Sequence, residues 1–506
     1  MKLVLEEILA RLRLVASATA ASATAEVILS PQRPEQVVNN AVWDSRNIKP
    51  GDVFIAIKGE QVDGHDFIIP AIEAGASLVI ASQSFSTNAR QAAESSGAGL
   101  LISTDPEYLF GEIAGLWRQK LNCCVVGVTG SSGKSSTKEL IASVLRQDFV
   151  TVANEGNFNN LLGLPATIIG ADAHTEMLVL EMGMQYRGEI ERYCQIARPH
   201  IAVYTNIGQA HMELVGSQEG IALAKSELIS GLSPIMQNQP LIPGKPEFRL
   251  AGPQVVINGD DLWTERVLEF GQADERRFDV LKYGSVTDVQ DIRLSATSLE
   301  FDSLGYPNFQ LQLPDGQHAT IKLQLQGKHN VYNALAAAGV GFLTGLSVAA
   351  IQAGLQSTQA LSMRQQLIML NDGTRVISDC YNANPDSMRA ALSTLQSIKD
   401  DSLHIAVLGD MLELGPTEND LHFQIGEYVA QTGVHFLLTI GSRALGIAEG
   451  AISAGMSADQ VFSTTEKIDA FGQLLPHLQA RPVILIKASR SMSLDSLVEC
   501  LQGATF

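Results

Sequence analysis

The stretch that most constrains the fold is residues 123–139, where an apolar run meets a glycine-rich turn and then a helical pattern. Residues 123–128 have the apolar composition of a buried strand, and residues 138–145 have the spacing of a helix. The turn between them holds Gly130 and Gly133. A strand, a glycine turn and a helix in this order form the context of a phosphate-binding loop.

Each residue type in this loop has a physical reason to be there. Backbone N–H groups at a helix N-terminus attract anions, and glycine lets the backbone approach phosphate oxygens closely. Lys134 can reach terminal phosphates and Ser135 can ligate Mg²⁺, so the predicted ligand is a nucleoside triphosphate with magnesium. Val128 stands at the first glycine position of the usual G-x-x-x-x-G-K-[ST] spacing, which leaves a glycine-rich turn with a solvated lysine as the alternative.

Polar residues follow two further apolar runs in the same region. Glu181 ends one such run, and Asn206 and His211 follow the next. Ligands of open α/β sheets lie off the carboxyl ends of the strands, so these side chains could meet Ser135 around one magnesium–phosphate site. The alternatives are a solvated glutamate at a strand end and a histidine packed within its own loop.

The composition excludes some classes of partner. The chain has 506 residues and a formal net charge of -19, which argues against nucleic acid because such proteins usually need a basic face to neutralise phosphates. Nowhere does an apolar run approach the ~20 residues that a membrane-spanning helix requires. Five cysteines without a C-x-x-C spacing indicate neither a disulfide framework nor a zinc site, so we expect a location in the reducing cytoplasm.

The alternation of strand-like and helix-like segments predicts an α/β protein of three domains. Residues 1–112 form a small α/β domain. Residues 113–356 form a central phosphate-loop, mononucleotide-binding domain with a parallel sheet, which carries an antiparallel flap over 279–325. Residues 357–506 alternate strands and helices as in a Rossmann-like parallel sheet.

Together these features resemble the Mur ligase family over essentially the whole chain. The loop has the form T-G-x-x-G-K-[ST], and further motifs follow in the family's order. These motifs are Asn157-Phe-Asn-Asn160, Gly163-Leu-Pro165, Glu181-Met-Gly183, Thr205-Asn-Ile-Gly208, Ala210-His-Met-Glu213, Ala224-Lys-Ser-Glu227 and Gly327-Lys-His-Asn330. So many motifs in one order are hard to produce by chance. The resemblance implies a ligase that uses ATP and Mg²⁺ and has no protein nucleophile.

The resemblance also implies roles for individual residues. Lys134, His211 and Lys225 would act in catalysis, with the Lys225 amine carried as a carbamate. Mg²⁺ would be held by Ser135, Glu181, His211 and that carbamate. ATP would be contacted by Thr129, Gly130, Ser131, Ser132, Gly133, Lys134, Ser135, Ser136, Asn330, Asn333, Arg364 and Asp379. For Lys225, the alternative is an unmodified lysine that bonds a phosphate or Glu227.

The N-terminal motifs point to one of the substrates. Asp44-Ser-Arg46 and Asp63-Gly-His65 resemble the motifs of a UDP-sugar-binding domain. The resemblance therefore implies that Ser45, Arg46 and His65 hold a UDP-activated substrate. From composition alone, polar turns of this kind could hold a ligand or merely cap helices.

The C-terminal motifs point to the other substrate. Residues 379–388, 408–415 and 487–492 resemble the D-alanyl-D-alanine-adding members, and the D-N-P-R signature of diaminopimelate-adding relatives is absent. The resemblance implies that Tyr381, Asn382 and Asn384 face the amine substrate. The implied reaction adds D-alanyl-D-alanine to UDP-N-acetylmuramoyl-tripeptide through an acyl phosphate.

Two alternatives to this function stay open. One is the same chemistry with diaminopimelate or lysine as the amine substrate. The other, of a different class, is a nucleotide-switched binding ATPase, which would keep the loop and Glu181 but need no amine acceptor. We expect a monomer with no nucleic-acid partner, and the sequence does not indicate whether the third residue of the tripeptide is diaminopimelate or lysine.

Overall fold

The computed structural model describes residues 1–17, 24–59, 62–209, 212–234, 242, 248, 250–271, 278–284 and 292–503. Across these ranges, no helix is long and apolar enough to cross a membrane.

The N-terminal part forms a mixed sheet with helices packed against it. Its elements are, in chain order, β1 (Leu3–Val4), α1 (Leu5–Ser17), β2 (Ala25–Leu29), β3 (Val37–Val38), β4 (Ala41–Val42), β5 (Val53–Ile55), α2 (Ile68–Glu73), β6 (Leu78–Ala81), α3 (Thr87–Ser96), β7 (Gly99–Ser103) and α4 (Pro106–Arg118). β1 pairs with β3, and the remaining strands follow the order β2-β7-β6-β5-β4, with β2 antiparallel to β7. Leu5, Ile8 and Leu12 are buried, as expected for one apolar face of a helix.

The central part is built on a larger sheet. Its elements are β8 (Cys124–Thr129), α5 (Lys134–Leu145), β9 (Thr151–Ala153), α6 (Gly163–Gly170), β10 (Met177–Glu181), α7 (Glu189–Ala197), β11 (Ile201–Tyr204), α8 (Met212–Val215), α9 (Gln218–Ser230), β12 (Gln254–Asn258), α10 (Thr264–Gly271), β13 (Asp279–Gly284), β14 (Ile292–Phe301), β15 (Pro307–Gln312), β16 (His318–Lys322), α11 (Lys328–Leu343) and α12 (Val348–Ser357). The strand order is β16-β15-β14-β13-β12-β11-β8-β10-β9. The expected antiparallel segment is present as β14 to β16, which extend this same sheet, whereas β13 pairs in parallel with both neighbours.

The C-terminal part holds a separate sheet. Its elements are β17 (Gln366–Met369), β18 (Arg375–Asp379), α13 (Pro385–Ser397), β19 (His404–Gly409), α14 (Glu418–Ala430), β20 (Phe436–Ile440), α15 (Leu445–Ser453), β21 (Val461–Thr464), α16 (Lys467–Leu478), β22 (Val483–Lys487) and α17 (Asp495–Gly503). The order is β17-β18-β22-β19-β20-β21, and only the β17–β18 pair of this described sheet is antiparallel. The predicted α/β fold class is confirmed.

The central strands are covered by helices on both faces. Val126 and Val128 of β8 pack in an apolar cluster with α5 and α11, whereas Val125 packs in a second cluster with α6, α7 and α9. Successive side chains of a strand point to opposite faces, so a run that is apolar throughout fits a sheet with two buried faces. This packing places the polar strand ends at the edge of the sheet, where they form a site.

The N-terminal and central parts share one apolar cluster. Ile8 and Leu78 belong to the same contiguous core as Leu178 and Ile190. Helix α4 runs through residues 112 and 113, where we expected a domain boundary. The boundaries at 112/113 and 356/357 stay predictions.

Candidate functional site

A cavity of about 850 Å³ lies between the central and C-terminal parts. From the central part it is lined by the phosphate-loop residues 131–136, by Glu181 at the end of β10, and by Asn330 and Asn333 of α11. From the C-terminal part it is lined by Arg364, Asp379, Tyr381, Asn382, Asn384 and Lys487. The structure therefore brings most of the predicted ATP-binding and amine-binding residues to one cavity.

Two glycines allow the loop its path. Gly130 has φ +150° and Gly133 has φ +79°, and a Cβ at these positions would lie 1.8 Å from Thr205 Oγ1 and 2.7 Å from Asn333 Oδ1. Both positions therefore exclude a larger side chain. α5 begins immediately after Gly133, so the first N–H groups of this helix end at the loop, as a phosphate site requires.

The segment that follows β11 holds the phosphate loop through hydrogen bonds. Asn206 Oδ1 accepts a hydrogen bond from the Ser132 N–H at 2.9 Å, and Thr205 Oγ1 donates to the Ser132 carbonyl at 2.6 Å. The Ser131 N–H donates to the Asn206 carbonyl at 3.0 Å. Asn206, which we expected near the metal, therefore acts on the shape of the loop.

Thr129 lies beneath the loop and does not line the cavity. Its side chain is fully buried, and its hydroxyl donates to the Met182 carbonyl at 3.0 Å. This bond ties the end of β8 to the chain that follows β10. Thr129 therefore supports the loop from below.

Lys134 is folded over its own loop. Its Nζ donates to the carbonyl oxygens of Gly130 at 2.8 Å and Ser131 at 3.4 Å. Burial lowers the pKa of the Lys134 ammonium, and nearby Glu181 opposes that shift. The side chain lines the cavity, where an incoming phosphate could take the place of the carbonyl oxygens.

Ser135 and Glu181 form a buried pair of oxygen donors. Ser135 Oγ donates to Glu181 Oε2 at 2.5 Å, and Asn159 Nδ2 donates to Glu181 Oε1 at 2.8 Å. Both Ser135 and Glu181 are almost fully buried. Hydroxyl and carboxylate oxygens at a phosphate loop fit Mg²⁺, which keeps further positions for water and phosphate oxygens. No group of three or more histidine, cysteine or acidic side chains suited to a metal occurs within the part of the chain that the structure describes. The predicted ligand His211 lies outside the described residues.

Lys225 lies behind the loop. It is 1% exposed, does not line the cavity, and its Nζ donates to the Gly130 carbonyl at 3.0 Å. Burial lowers the pKa of Lys225 well below its ordinary value, and the charge of Lys134 lowers it further. The amine is therefore neutral at pH values at which an exposed lysine is charged.

The two asparagines of α11 join that helix to α5. Thr137 Oγ1 donates to Asn333 Oδ1 at 3.1 Å, and Asn333 Nδ2 donates to Asn330 Oδ1 at 2.8 Å. Asn330 Nδ2 donates to the Gln326 carbonyl at 2.8 Å. Both asparagines also line the cavity, so these two predicted ATP-contacting side chains are fixed by one chain of amides.

The C-terminal wall carries two cations. The guanidinium of Arg364 lies 3.6 Å from the centre of the Tyr381 ring, within range of a cation–π interaction. Lys487 Nζ donates to Asp379 Oδ2 at 2.7 Å and to the Asn382 carbonyl at 2.9 Å. We did not predict a role for Lys487, although it begins the motif at residues 487–492.

Asn384 connects the C-terminal wall to the phosphate loop. Its Oδ1 accepts from the Ser387 N–H at 2.8 Å and so caps α13, and its Nδ2 donates to Ser132 Oγ at 3.3 Å. The carboxylate of Asp386 accepts from the Gln209 N–H at 3.0 Å. Its amide therefore joins the two walls of the cavity, and its predicted contact with the amine substrate stays a prediction.

The predicted UDP-binding residues lie outside the cavity. Asp44 caps a short turn and forms an ion pair with Arg46 at 2.7 Å, and Asp63 caps the next turn and contacts His65 Nδ1 at 2.6 Å. The Arg46 side chain is 87% exposed, and Ser45 follows the Asp44 cap in the same turn. Both turns thus have the capping geometry that was the alternative interpretation, and their binding role stays a prediction.

An aromatic contact links these turns to the cavity. The Trp43 ring, next to Asp44 in the chain, lies edge-on to Phe158, with the ring centres 6.1 Å apart. Asn157 and Asn159, on either side of Phe158, line the cavity. The N-terminal turns and the cavity are therefore joined by packed aromatic side chains.

A phosphate loop joined to a buried serine–glutamate pair defines the protein as a nucleotide-binding α/β protein. Residues 38–110 match the Mur ligase family catalytic domain, 128–341 the Mur ligase middle domain, and 363–490 the Mur ligase glutamate ligase domain. The chain belongs to the Mur ligase family, as the sequence motifs predicted.

Relatives and solved structures agree with this assignment. The UDP-N-acetylmuramoyl-tripeptide–D-alanyl-D-alanine ligase of Bacillus subtilis (strain 168) is 34% identical over 94% of this chain and 95% of its own length. The ligase of the same name from Escherichia coli (strain K12) is 33% identical over 91% and 92%. The fold is similar to a crystal structure of MurF from Acinetobacter baumannii, with a TM-score of 0.80, 26% identity and 98% of each chain covered.

Proposed function

We propose that this chain joins D-alanyl-D-alanine to UDP-N-acetylmuramoyl-tripeptide at the expense of ATP, in the synthesis of peptidoglycan precursors. The observation that carries the proposal is the single cavity in which the phosphate loop faces the C-terminal wall. Two relatives that match nearly the whole chain carry the name of this ligase. The names of these relatives give D-alanyl-D-alanine as the amine substrate, and neither diaminopimelate nor lysine.

The reaction needs both sides of the cavity, the phosphate loop and the C-terminal wall. A carboxylate is a poor acyl donor, so the substrate carboxylate first attacks the γ-phosphate of ATP, which gives an acyl phosphate and ADP. The amine of the dipeptide then attacks the acyl carbon and releases phosphate. No protein nucleophile takes part, so the residues contribute position and charge.

The residues would divide this work by location. Lys134 would leave the loop carbonyls and stabilise the charge on the transferring phosphoryl group, as loop lysines do. Ser135 and Glu181 would hold Mg²⁺, which supplies positive charge to the phosphate oxygens. Arg364 would add charge from the C-terminal wall, while Asp379, Tyr381 and Asn382 lie where nucleotide and amine meet.

The Lys225 amine would carry a carbamate. Support comes from its burial and its lowered pKa, because only an unprotonated amine reacts with CO₂. A carbamate would turn this neutral amine behind the loop into an anion with oxygen donors. An unmodified Lys225 is the alternative.

The remaining assignments follow from the same proposal. Ser45, Arg46 and His65 would bind the UDP end, and residues 1–112, 113–356 and 357–506 would act as the UDP-substrate, ATP and amine domains. The five cysteines are free and four of them are buried, which supports a reducing cytoplasm. A monomeric state also belongs to the proposal, and sedimentation equilibrium would test it.

The decisive experiment measures phosphate release with each substrate omitted in turn. The proposal requires release that depends on both the UDP-tripeptide and D-alanyl-D-alanine, together with a ligated product seen by mass spectrometry. Substituting diaminopimelate or lysine for the dipeptide should give no product. Phosphate release that ignores both substrates would instead support a nucleotide-switched ATPase.

A further inference from the structure

A tyrosine hydroxyl that faces the cavity has no hydrogen-bond partner among the described residues. Tyr193 of α7 is 2% exposed and lines the cavity. Its hydroxyl makes no hydrogen bond to any residue that the structure describes, and the hydroxyl oxygen itself is accessible from the cavity. A ligand that reaches this hydroxyl can therefore use it as a hydrogen-bond partner. Burial raises the pKa of Tyr193, which keeps the hydroxyl protonated and able to donate.

A carboxylate lies one helical turn away on the same face. Glu189 Oε2 accepts from the backbone N–H groups of Gln185 at 2.5 Å and Tyr186 at 3.0 Å, which holds the turn before α7. Glu189 Oε1 has no hydrogen-bond partner among the described residues, and Glu189 lines the cavity as Tyr193 does. Residues four apart on a helix are neighbours, so the two side chains form one wall.

This wall differs in charge from the rest of the cavity. The lysines and arginine that line the cavity are Lys134 of the loop, Lys328 of α11, and Arg364 and Lys487 of the C-terminal part. The described residues of α7 and of the turn before it contribute Gln185, Glu189 and Tyr193, with no cation. The wall can thus accept an ammonium group at Glu189 and donate to an acceptor at Tyr193.

Position decides which part of the substrates reaches this wall. The nucleotide occupies the loop and α11 in the proposed function, and the amine substrate occupies the C-terminal wall. The reacting carboxylate of the tripeptide must lie beside Glu181, and Gln185 follows only four residues later in the chain, at most about 14 Å away. Since that carboxylate belongs to the third residue of the tripeptide, the side chain of the third residue is the group closest to this wall.

We propose that Glu189 and Tyr193 form a subsite for the third residue of the tripeptide, built for a side chain that ends in both an ammonium and a carboxylate group. The ammonium group bonds Glu189 Oε1, and the carboxylate accepts from the Tyr193 hydroxyl. Diaminopimelate carries both groups at its far end, whereas lysine carries only the ammonium. The subsite rests on the proposed function and names the substrate within it.

The test compares two UDP-N-acetylmuramoyl-tripeptides, one ending in meso-diaminopimelate and one in L-lysine, with ATP and D-alanyl-D-alanine. The unaltered protein should show the higher kcat/KM with diaminopimelate. Tyr193→Phe should lower the ratio of the two kcat/KM values about 10- to 100-fold, as expected for a hydrogen bond to a charged group. Glu189→Gln should lower kcat/KM for both tripeptides. Tyr186→Phe is the matched control, because that side chain is 54% exposed and does not line the cavity.

The outcomes separate the subsite from the reaction. An unchanged ratio in Tyr193→Phe, with ligation intact, would overturn the subsite and leave the proposed function standing. The subsite would also be overturned if Tyr186→Phe lowered the ratio of the two kcat/KM values as much as Tyr193→Phe does. If the unaltered protein ligates neither tripeptide, the proposed function fails, and the subsite fails with it.

Discussion

Replacing Lys487 by methionine should destabilise the C-terminal part strongly. Lys487 is 2% exposed and Asp379 8%, and their charged atoms lie 2.7 Å apart at the ends of the paired strands β22 and β18. Methionine keeps an unbranched stem but leaves the Asp379 carboxylate buried without its cation. Breaking a buried ion pair by removing one partner costs about 3–5 kcal/mol, so we expect a loss of that size.

The assay is a double-mutant cycle with Asp379→Asn, followed by urea unfolding. The three tryptophans, Trp43, Trp117 and Trp263, all lie outside the C-terminal part. A transition seen by circular dichroism but not by tryptophan fluorescence therefore reports on that part. Lys487→Met alone should lower the free energy of unfolding by about 3–5 kcal/mol. The double variant should recover most of this loss, because a neutral pair needs no buried counter-charge.

The double variant should regain stability but not ligase activity. Lys487 also donates to the Asn382 carbonyl, so its loss frees the segment that faces the amine substrate. The double variant should therefore fold and still ligate poorly, with a raised KM for D-alanyl-D-alanine. A loss below about 1 kcal/mol in Lys487→Met would refute the reasoning, because that is the range of exposed ion pairs.

Four further changes test the site. Lys134→Ala should lower kcat about 10²- to 10⁴-fold without altering the circular dichroism spectrum, because the group acts on phosphate charge; near-normal ligation would mean the loop is not a phosphate site. Arg46→Ala should chiefly raise the KM for the UDP-tripeptide, and a selective effect on the dipeptide would contradict the domain assignment. Asn384→Ala should raise the KM for D-alanyl-D-alanine and, through Ser132, that for ATP as well. Lys225→Ala should be nearly inactive and partly rescued by acetate. Since the folded pKa of Lys225 is lowered, the amine loses its proton, and carbamylation becomes possible, at a lower pH than for an exposed lysine; activity indifferent to CO₂ removal would rule the carbamate out.

The buried strands and the loop were predictable because each depends on local sequence. Strand β10 spans Met177–Glu181 as predicted, since a short apolar run between polar residues has few other structures available. The loop was predictable because Gly130 and Gly133 are needed for its backbone path. The sequence alone could therefore identify the strands and the loop, because their structure depends on neighbouring residues.

The contacts that complete the site depend on distant parts of the chain. Lys487 and Asp379 are 108 residues apart and meet because β22 and β18 pair in register, which neither strand encodes by itself. Asn384 carries the composition of a helix cap, and its second contact, with Ser132, exists only once two sheets face each other. Tyr193 is a buried residue of α7, and only the cavity beside it shows that its hydroxyl has no hydrogen-bond partner among the described residues.

The polar contacts across the cavity have a consequence for the reaction. Asn384 bonds Ser132, and Asp386 bonds the Gln209 N–H. At about 0.5–1.5 kcal/mol each, these two bonds contribute a few kcal/mol at most, beside the packing of α11 against α13. An acyl phosphate must be kept from water, whereas the ligated product must leave. Breaking these polar contacts opens the cavity for release, and substrates that bridge the two walls add closing energy when they bind.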